Sequence, residues 1–346
     1  MKKKLISMML CAAIGLSFAG CGSTNDTTES SDKESQEPAE DDTVYELKMS
    51  YTIAGTETIA EVAQEMAASI EEKTDGHLIL QNYPNGELAN DTDALELAAN
   101  GSNVITFGTP DFLAAYVPDL GILDGPYLFS DPSEFKKLET SDWFEEQKAA
   151  LEDNGIKNLS MGWYFGPRHI IHNTEKEIST PDDLTDVRLR SASSTMRVAM
   201  LEAMGATVTQ MAWTEVYSAL NQGVMDGCEA PLSTMYNPKL YEVCSDISLT
   251  GHIEAIWSVN ISKDFFDSLP EEYQQVLVEE VNAYAEKSIE AVQEEQETWQ
   301  TTLEGEGVRF TEVDKDAFKE ATNPAYDKVT DLTPGLYDTL DKIING

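Results

Sequence analysis

The side chains best suited to hold a small molecule here are arginines rather than nucleophiles. Arg188 and Arg190 lie in a short stretch, Val187 to Arg190, that reads as a strand. A guanidinium can fork onto a carboxylate through two parallel charge-assisted hydrogen bonds. Strand parity puts both arginines on one face, so spacing alone does not choose between them. From residue type and spacing alone, a surface ion pair of little energetic weight is the favoured reading for either.

Motifs for covalent or phosphoryl chemistry are absent: there is no G-x-S-x-G, P-loop, G-x-G-x-x-G or H-E-x-x-H. The four histidines are His77, His169, His172 and His252. His169 and His172 are three apart on a predicted strand, point to opposite faces and are poorly placed to share a metal. Asp91-Thr-Asp93 begins like a calcium loop, but Glu96 stands where that loop requires Gly. No Cys-x-x-Cys pair marks a structural zinc site. With 63 acidic residues, no single carboxylate pair can be picked out for glycoside chemistry. The weight shifts from catalysis to binding.

The elements that must position these residues alternate between helix and strand. Ile59, Val62, Ala63, Met66, Ala67 and Ile70 recur at helical spacing, and Thr74-Asp75-Gly76 closes that helix. Strands are predicted at 77–80, 104–107, 156–163, 168–172, 187–190, 225–229 and 256–261, and helices at 91–99, 131–153, 194–204 and 213–222. Pro270, followed by Glu271 and Glu272, opens a helix running to about Leu303. At ~1.5 Å per residue it spans ~50 Å, more than one small domain, so it is expected to cross two. This is an α/β rhythm with parallel-sheet potential.

The chain has 346 residues, room for two or three domains at ~150 residues each. Its 63 acidic and 23 basic residues give a formal charge of −40, which excludes a nucleic-acid binder. Lys2 to Lys4 followed by apolar Leu5 to Phe18 reads as an export signal, too short for a typical spanning helix. It ends in Phe18-Ala19-Gly20-Cys21, which resembles a bacterial lipobox with Phe18 in place of the usual Leu; Cys21 is then the lipid-bearing first residue. Residues 1–20 are thus expected to be a lipoprotein signal peptide, and 21–43, nearly devoid of apolar side chains, a disordered acidic tether. Cys228 and Cys244 remain, and spacing does not say whether they pair.

Between about 160 and 275 several short blocks occur in a fixed order. Pro181-Asp-Asp-Leu184 leads into Val187-Arg-Leu-Arg190. Then come Gly205-Ala206, Glu215-Val-Tyr217, Ala219-Leu220, Asp226-Gly-Cys-Glu229, Tyr241-Glu-Val243, Thr250-Gly-His252 and Leu269-Pro270. From about Leu47 onward the chain resembles the DctP-type solute-binding receptors of tripartite ATP-independent (TRAP) transporters. Asp186 and Arg188 stand where that family usually has Gly and Lys.

The resemblance implies a two-domain periplasmic-binding-protein-like α/β fold with a hinge cleft and a long domain-spanning helix. Domain I would comprise 44–165 and 255–294, and domain II 166–254 and 295–346. It implies a receptor without cofactor or enzymatic activity. The receptor would bind a small organic acid, a dicarboxylate or a sugar acid among the options. It would deliver that acid to small and large membrane permease subunits driven by an ion gradient, from a lipid-anchored position on the outer face of the cytoplasmic membrane. A ligand-presenting sensor or an exported enzyme on the same scaffold are the alternatives.

The family's main carboxylate anchor falls on Arg190, a second basic contact on Arg168 of Gly166-Pro167-Arg168, and an aromatic wall on Trp213. His169 beside Arg168 is similar to receptors for sugar acids. Ala230 stands where many relatives have an Asn that hydrogen-bonds the carboxylate, so that contact is expected to be lost or replaced. Glu215, Tyr217, Asp226 and Glu229 are expected to be structural. Trp163, Tyr164 and Trp257 are candidate cleft walls, and Thr52, Glu57 and Phe107 candidate domain I contacts.

Overall fold

The computed structural model describes residues 43–174 and 176–346. The expected signal peptide, Cys21 and tether lie outside these residues, apart from Thr43 at the tether's end. The first βαβ unit follows from its pattern. β1 (Tyr45–Ser50) and β2 (Leu78–Tyr83) flank α1 (Thr58–Lys73), which buries the predicted stripe from Ile59 to Ile70. Gly76, at φ +80°, ends α1 in the left-handed region, and its N–H donates back to Glu71 O at 2.8 Å. α2 (Asp91–Ala99), capped by Asn90, leads to β3 (Val104–Gly108). β1 pairs in parallel with both β2 and β3.

Short 3-10 turns then lead to α3 (Ser133–Glu139) and α4 (Asp142–Asp153). One helix is expected over 131–153; the structure divides it because the Ser141 hydroxyl accepts from Phe144 N–H at 3.2 Å and caps a new start. β4 (Ile156–His172) is a single strand of 17 residues rather than the two expected. Gly166-Pro167 reads as a break in sequence, but the chain absorbs it by register shifts within the strand. Gly166 has φ +106°, and a Cβ there would lie 3.0 Å from Gln296 Nε2, so close approach also demands glycine.

A second parallel set follows: β5 (Arg188–Ser191), α5 (Thr195–Ala203), β6 (Thr207–Gln210), α6 (Val216–Asn221), β7 (Gly227–Ala230) and α7 (Leu232–Tyr236). β5 pairs in parallel with β6 and β7. β8 (Asp246–Ser262), also 17 residues, returns antiparallel along β4. Then come α8 (Lys263–Ser268), α9 (Glu271–Gly305), β9 (Arg309–Thr311), α10 (Lys315–Thr322), α11 (Ala325–Lys328) and α12 (Leu336–Asn345).

The sheet order is β2-β1-β3-β8-β4-β7-β5-β6, with β9 on β8. β3 pairs with one end of β8, through Val259 and Ile261, and β9 with the other, through Asp246 and Ser248. Two lobes therefore share the long strands. Lobe I carries β1–β3 and α1–α4, and lobe II carries β5–β7 and α5–α7. The 35-residue α9 spans both, packing on α1 in lobe I and α7 in lobe II. It is fixed to β4 where Trp163 Nε1 donates to Val281 O at 3.0 Å and Tyr164 N–H to Ser288 Oγ at 2.9 Å. Each fully buried Leu or Val on its inner face, such as Leu277 and Val281, contributes ~1.5–3 kcal/mol. Residues 295–346 are expected in lobe II, yet α12 packs on α3 of lobe I, burying Leu336, Leu340 and Ile344. Cys228 and Cys244 are buried free thiols.

Candidate ligand-binding site

The carboxyl ends of two parallel strands from each lobe converge on one cavity. Thr52 follows β1, Gly108 closes β3, Arg190 and Ala192 sit at the end of β5, and Trp213 follows β6; all line it. Open α/β sheets bind ligands at the carboxyl ends of their strands, where side chains and loop amides face a shared crevice. A larger surface groove of about 1160 Å³ lies among the C-terminal helices, but its charged lining residues are Asp327 and Asp338, which offer nothing to an anion.

Arg190 is buried, 4% exposed. Its Nε and Nη2 both donate to Met211 O, at 3.0 and 2.7 Å. Its guanidinium carbon stands 5.4 Å from the centre of the Trp213 ring, within cation–π reach. No carboxylate among the described residues forms an ion pair with it. Burial accordingly pushes its pKa down to about 10. Arg188, two residues earlier, is exposed and forks onto Asp226 at 2.9 and 2.6 Å. Strand parity left the two equivalent; depth separates them.

The other two arginines in the cavity wall are already partnered. Arg168 donates to both carboxylate oxygens of Glu229, Nη2 to Oε1 at 2.9 Å, and to Glu229 O at 3.1 Å. Burial alone would raise Glu229, but the Arg168 charge outweighs it and holds that carboxyl well below its usual range. Arg197 of α5 reaches across to lobe I, 3.2 Å from Asp111 and 3.1 Å from Asp124, in the 3-10 turns after β3. Burial drives Asp124 up to about 8, while Arg197 overcomes the burial of Asp111 and keeps it ionised, so the two share one proton below that pH.

Lobe I contributes carboxylates. Asp91 opens α2 and lines the cavity. The Thr52 hydroxyl donates to it at 3.0 Å. Burial raises it to about 6. Glu57, just before α1, accepts from Thr234 Oγ1 of lobe II at 2.6 Å, and burial raises it to about 7. The Thr56 hydroxyl donates to Asn237 Oδ1 at 3.1 Å beside it, so the lobes touch along this edge.

Arg190, Arg168 and Trp213 thus share one cavity, with Thr52, Phe107 and Trp257 on its walls. Trp163 and Tyr164 are core residues against α9. His169 and Ala230 face each other across β4 and β7 but do not line the cavity. His169 Nδ1 accepts from Gly251 N–H at 3.0 Å, and burial lowers its pKa to about 3, so the ring is neutral. Ala230 is enclosed in an apolar cluster with Ile171, Cys228 and Leu232. Sequence reasoning missed Arg197 and Asp91. The first could have been flagged as a charge on the buried stripe of α5 beside Met196 and Met200. The second lay in a motif weighed only as a calcium loop. Among the described residues no cluster of His, Cys, Asp and Glu is placed to hold a metal, and no helix is long and apolar enough to cross a membrane.

Known proteins share this fold. A TRAP solute-binding protein from Fusobacterium, solved with sn-glycerol 3-phosphate, superposes with a TM-score of 0.83 at 32% identity, covering 87% of this chain and 97% of that one. One from Ochrobacterium anthropi, solved with L-fuconate, gives 0.83 at 32%, covering 87% and 99%. The 2,3-diketo-L-gulonate-binding periplasmic protein of Escherichia coli is 29% identical over 80% of this chain and 84% of its own. Residues 49–331 match the model of the bacterial extracellular solute-binding protein family 7, DctP, and the chain belongs to that family of two-domain receptors.

Proposed function

We propose that this chain captures a small carboxylate in its cleft through Arg190 and hands it to the small and large membrane subunits of a TRAP transporter. The carrying observation is the buried guanidinium of Arg190, which meets a carbonyl and an aromatic ring but no carboxylate. A buried cation without a counter-charge is costly, and an anionic ligand relieves that cost with two charge-assisted hydrogen bonds. Trp213 supplies the adjoining wall and Arg168 supporting positive potential. His169 and Ala230, which lie off the cavity, have no part in this reading.

Closure is assigned to the long strands. The lobe boundary is set at the Gly166–Ala255 pair, where the register of β4 and β8 shifts, and bending there opens or closes the cleft. Specific contacts to the ligand favour the closed form. Cys21 is proposed to carry the lipid that holds the receptor at the outer face of the membrane, with 22–43 as its tether. Cys21→Ser should move the protein from the membrane to the soluble fraction; retention at the membrane would contradict the anchor.

A thermal-shift screen against organic acids and their amides tests the receptor reading. At 100 times its dissociation constant a ligand stabilises by ~2.7 kcal/mol, which a melting curve resolves. A shift with an acid and none with its amide supports a carboxylate receptor. Equal shifts with both, or none with any acid, would sink it.

A further inference from the structure

The cavity wall holds three guanidinium groups, of Arg168, Arg190 and Arg197, and two are consumed by the protein itself. Arg168 is paired with Glu229 through Nε and Nη2, and Arg197 with Asp111, Asp124 and, at 3.7 Å, Glu229. Among the described residues lining the cavity, Arg190 is the guanidinium without a carboxylate partner, which provides for one anionic group. The same cavity presents Asp91, an acceptor-only side chain when ionised. Its two oxygens share the Thr52 hydroxyl, at 3.0 and 3.2 Å, and the backbone N–H of Asp91 itself adds a second donor. A carboxylate has about four lone-pair positions, so accepting capacity remains for a ligand.

Asp91 also forms one wall of a small recess that continues from the cavity into lobe I. Thr52, Phe107, Gly108, Thr109 and Phe112 line both spaces. Within the recess Ser50 is 2% exposed, and its hydroxyl has no hydrogen-bond partner. A buried hydroxyl left unpaired costs free energy, and a polar ligand group satisfies it. Thr106, Ser258 and Asn260 line the same recess, hydrogen-bonded to one another and to Gly108 and Asn158. The path inward from Arg190 is therefore one cation, then an acceptor, then hydroxyls and an amide.

We propose that Asp91 is the specificity-determining residue of this receptor, selecting a polyhydroxylated monocarboxylate and rejecting dicarboxylates and phosphate monoesters. This rests on Arg190 as the carboxylate anchor. The carboxylate of the ligand lies on Arg190, its hydroxyls donate to Asp91, and its far end enters the recess toward Ser50. A second anionic group would face Asp91 in a desolvated site with no guanidinium left to meet it, and such like-charge juxtaposition is strongly unfavourable. A phosphate dianion brings the excess charge within a single group.

Isothermal titration of the full-length chain tests this, with L-fuconate, succinate and sn-glycerol 3-phosphate as probes. Wild type should bind L-fuconate at least roughly tenfold tighter than either dianion, and Asp91→Asn should narrow that ratio roughly tenfold or more. Asn keeps the shape and one acceptor, so the variant's unliganded melting point should stay near that of wild type. Tighter binding of a dianion by wild type, or a ratio unchanged in the variant, would overturn the role of Asp91 while leaving Arg190 as anchor. Binding of none of the three would overturn the carboxylate reading and this inference with it. Because the wild-type comparison needs no substitution, the proposal stays falsifiable even if the variant misfolds.

Discussion

Arg168 and Arg190 line one cavity and are equally buried at 4% exposure, but their charges are met differently. Arg168 meets the carboxylate of Glu229 with two donors and its carbonyl with a third contact. Arg190 meets one carbonyl oxygen. The first is a finished internal pair that sets the shape of the β4–β7 junction. The second has no carboxylate partner among the described residues. Burial alone therefore does not mark a binding residue; the informative quantity is whether its charge is already answered.

Breaking the finished pair gives the largest expected effect. Glu229→Gln leaves Arg168 buried without a counter-charge, and loss of one partner of such a pair costs ~3–5 kcal/mol. Chemical denaturation should show that loss with no ligand present. A variant as stable as wild type would mean that Arg168 is as free as Arg190, and the contrast would fail.

The cross-lobe node of Arg197, Asp111 and Asp124 sharpens the comparison through pH. Asp124 has its carboxyl raised to about 8 by burial, above its unfolded value. Its contribution is fully present below the ordinary carboxylate range and is lost as pH rises through about 8. Wild type should therefore lose more stability between pH 5 and pH 9 than Asp124→Asn, which mimics the protonated form. Parallel pH profiles in thermal melts would remove Asp124 from this role.

Smaller effects are expected around Arg190. Arg190→Lys keeps a charge but loses the planar fork, so affinity for an acid should fall without vanishing. Titration giving wild-type affinity would show that the fork is not used. Arg188→Ala is the smallest, since its pair with Asp226 is at the surface. Ligand affinity should be unchanged there, and a loss comparable to that at Arg190 would erase the distinction drawn from depth.

Much of this architecture is legible in the sequence because it rests on local periodicity. The stripe of α1, the long helix after Pro270 and the strand leading to Arg190 all carry their own signal. What is not legible depends on pairing across the chain. The match of Arg168 to Glu229 follows from the antiparallel register that sets Ile170 opposite Glu229, and no local pattern encodes it. Arg197 meets Asp111 and Asp124 across a cleft, from positions more than seventy residues away. β6 is four residues long and mostly exposed, so it offers no apolar alternation. Asp91 sits at a helix start, where an acid is ordinary, and only the cavity beside it gives it another meaning.

The central claim is that Arg190 holds an unanswered charge awaiting a ligand's carboxylate. Its most direct test is titration of wild type and Arg190→Ala with an acid that shifts the wild-type melting curve. The account predicts an affinity loss of ~2–5 kcal/mol in a variant that still folds, because no internal ion pair is broken. An Arg190→Ala protein that binds the acid as tightly as wild type would contradict it.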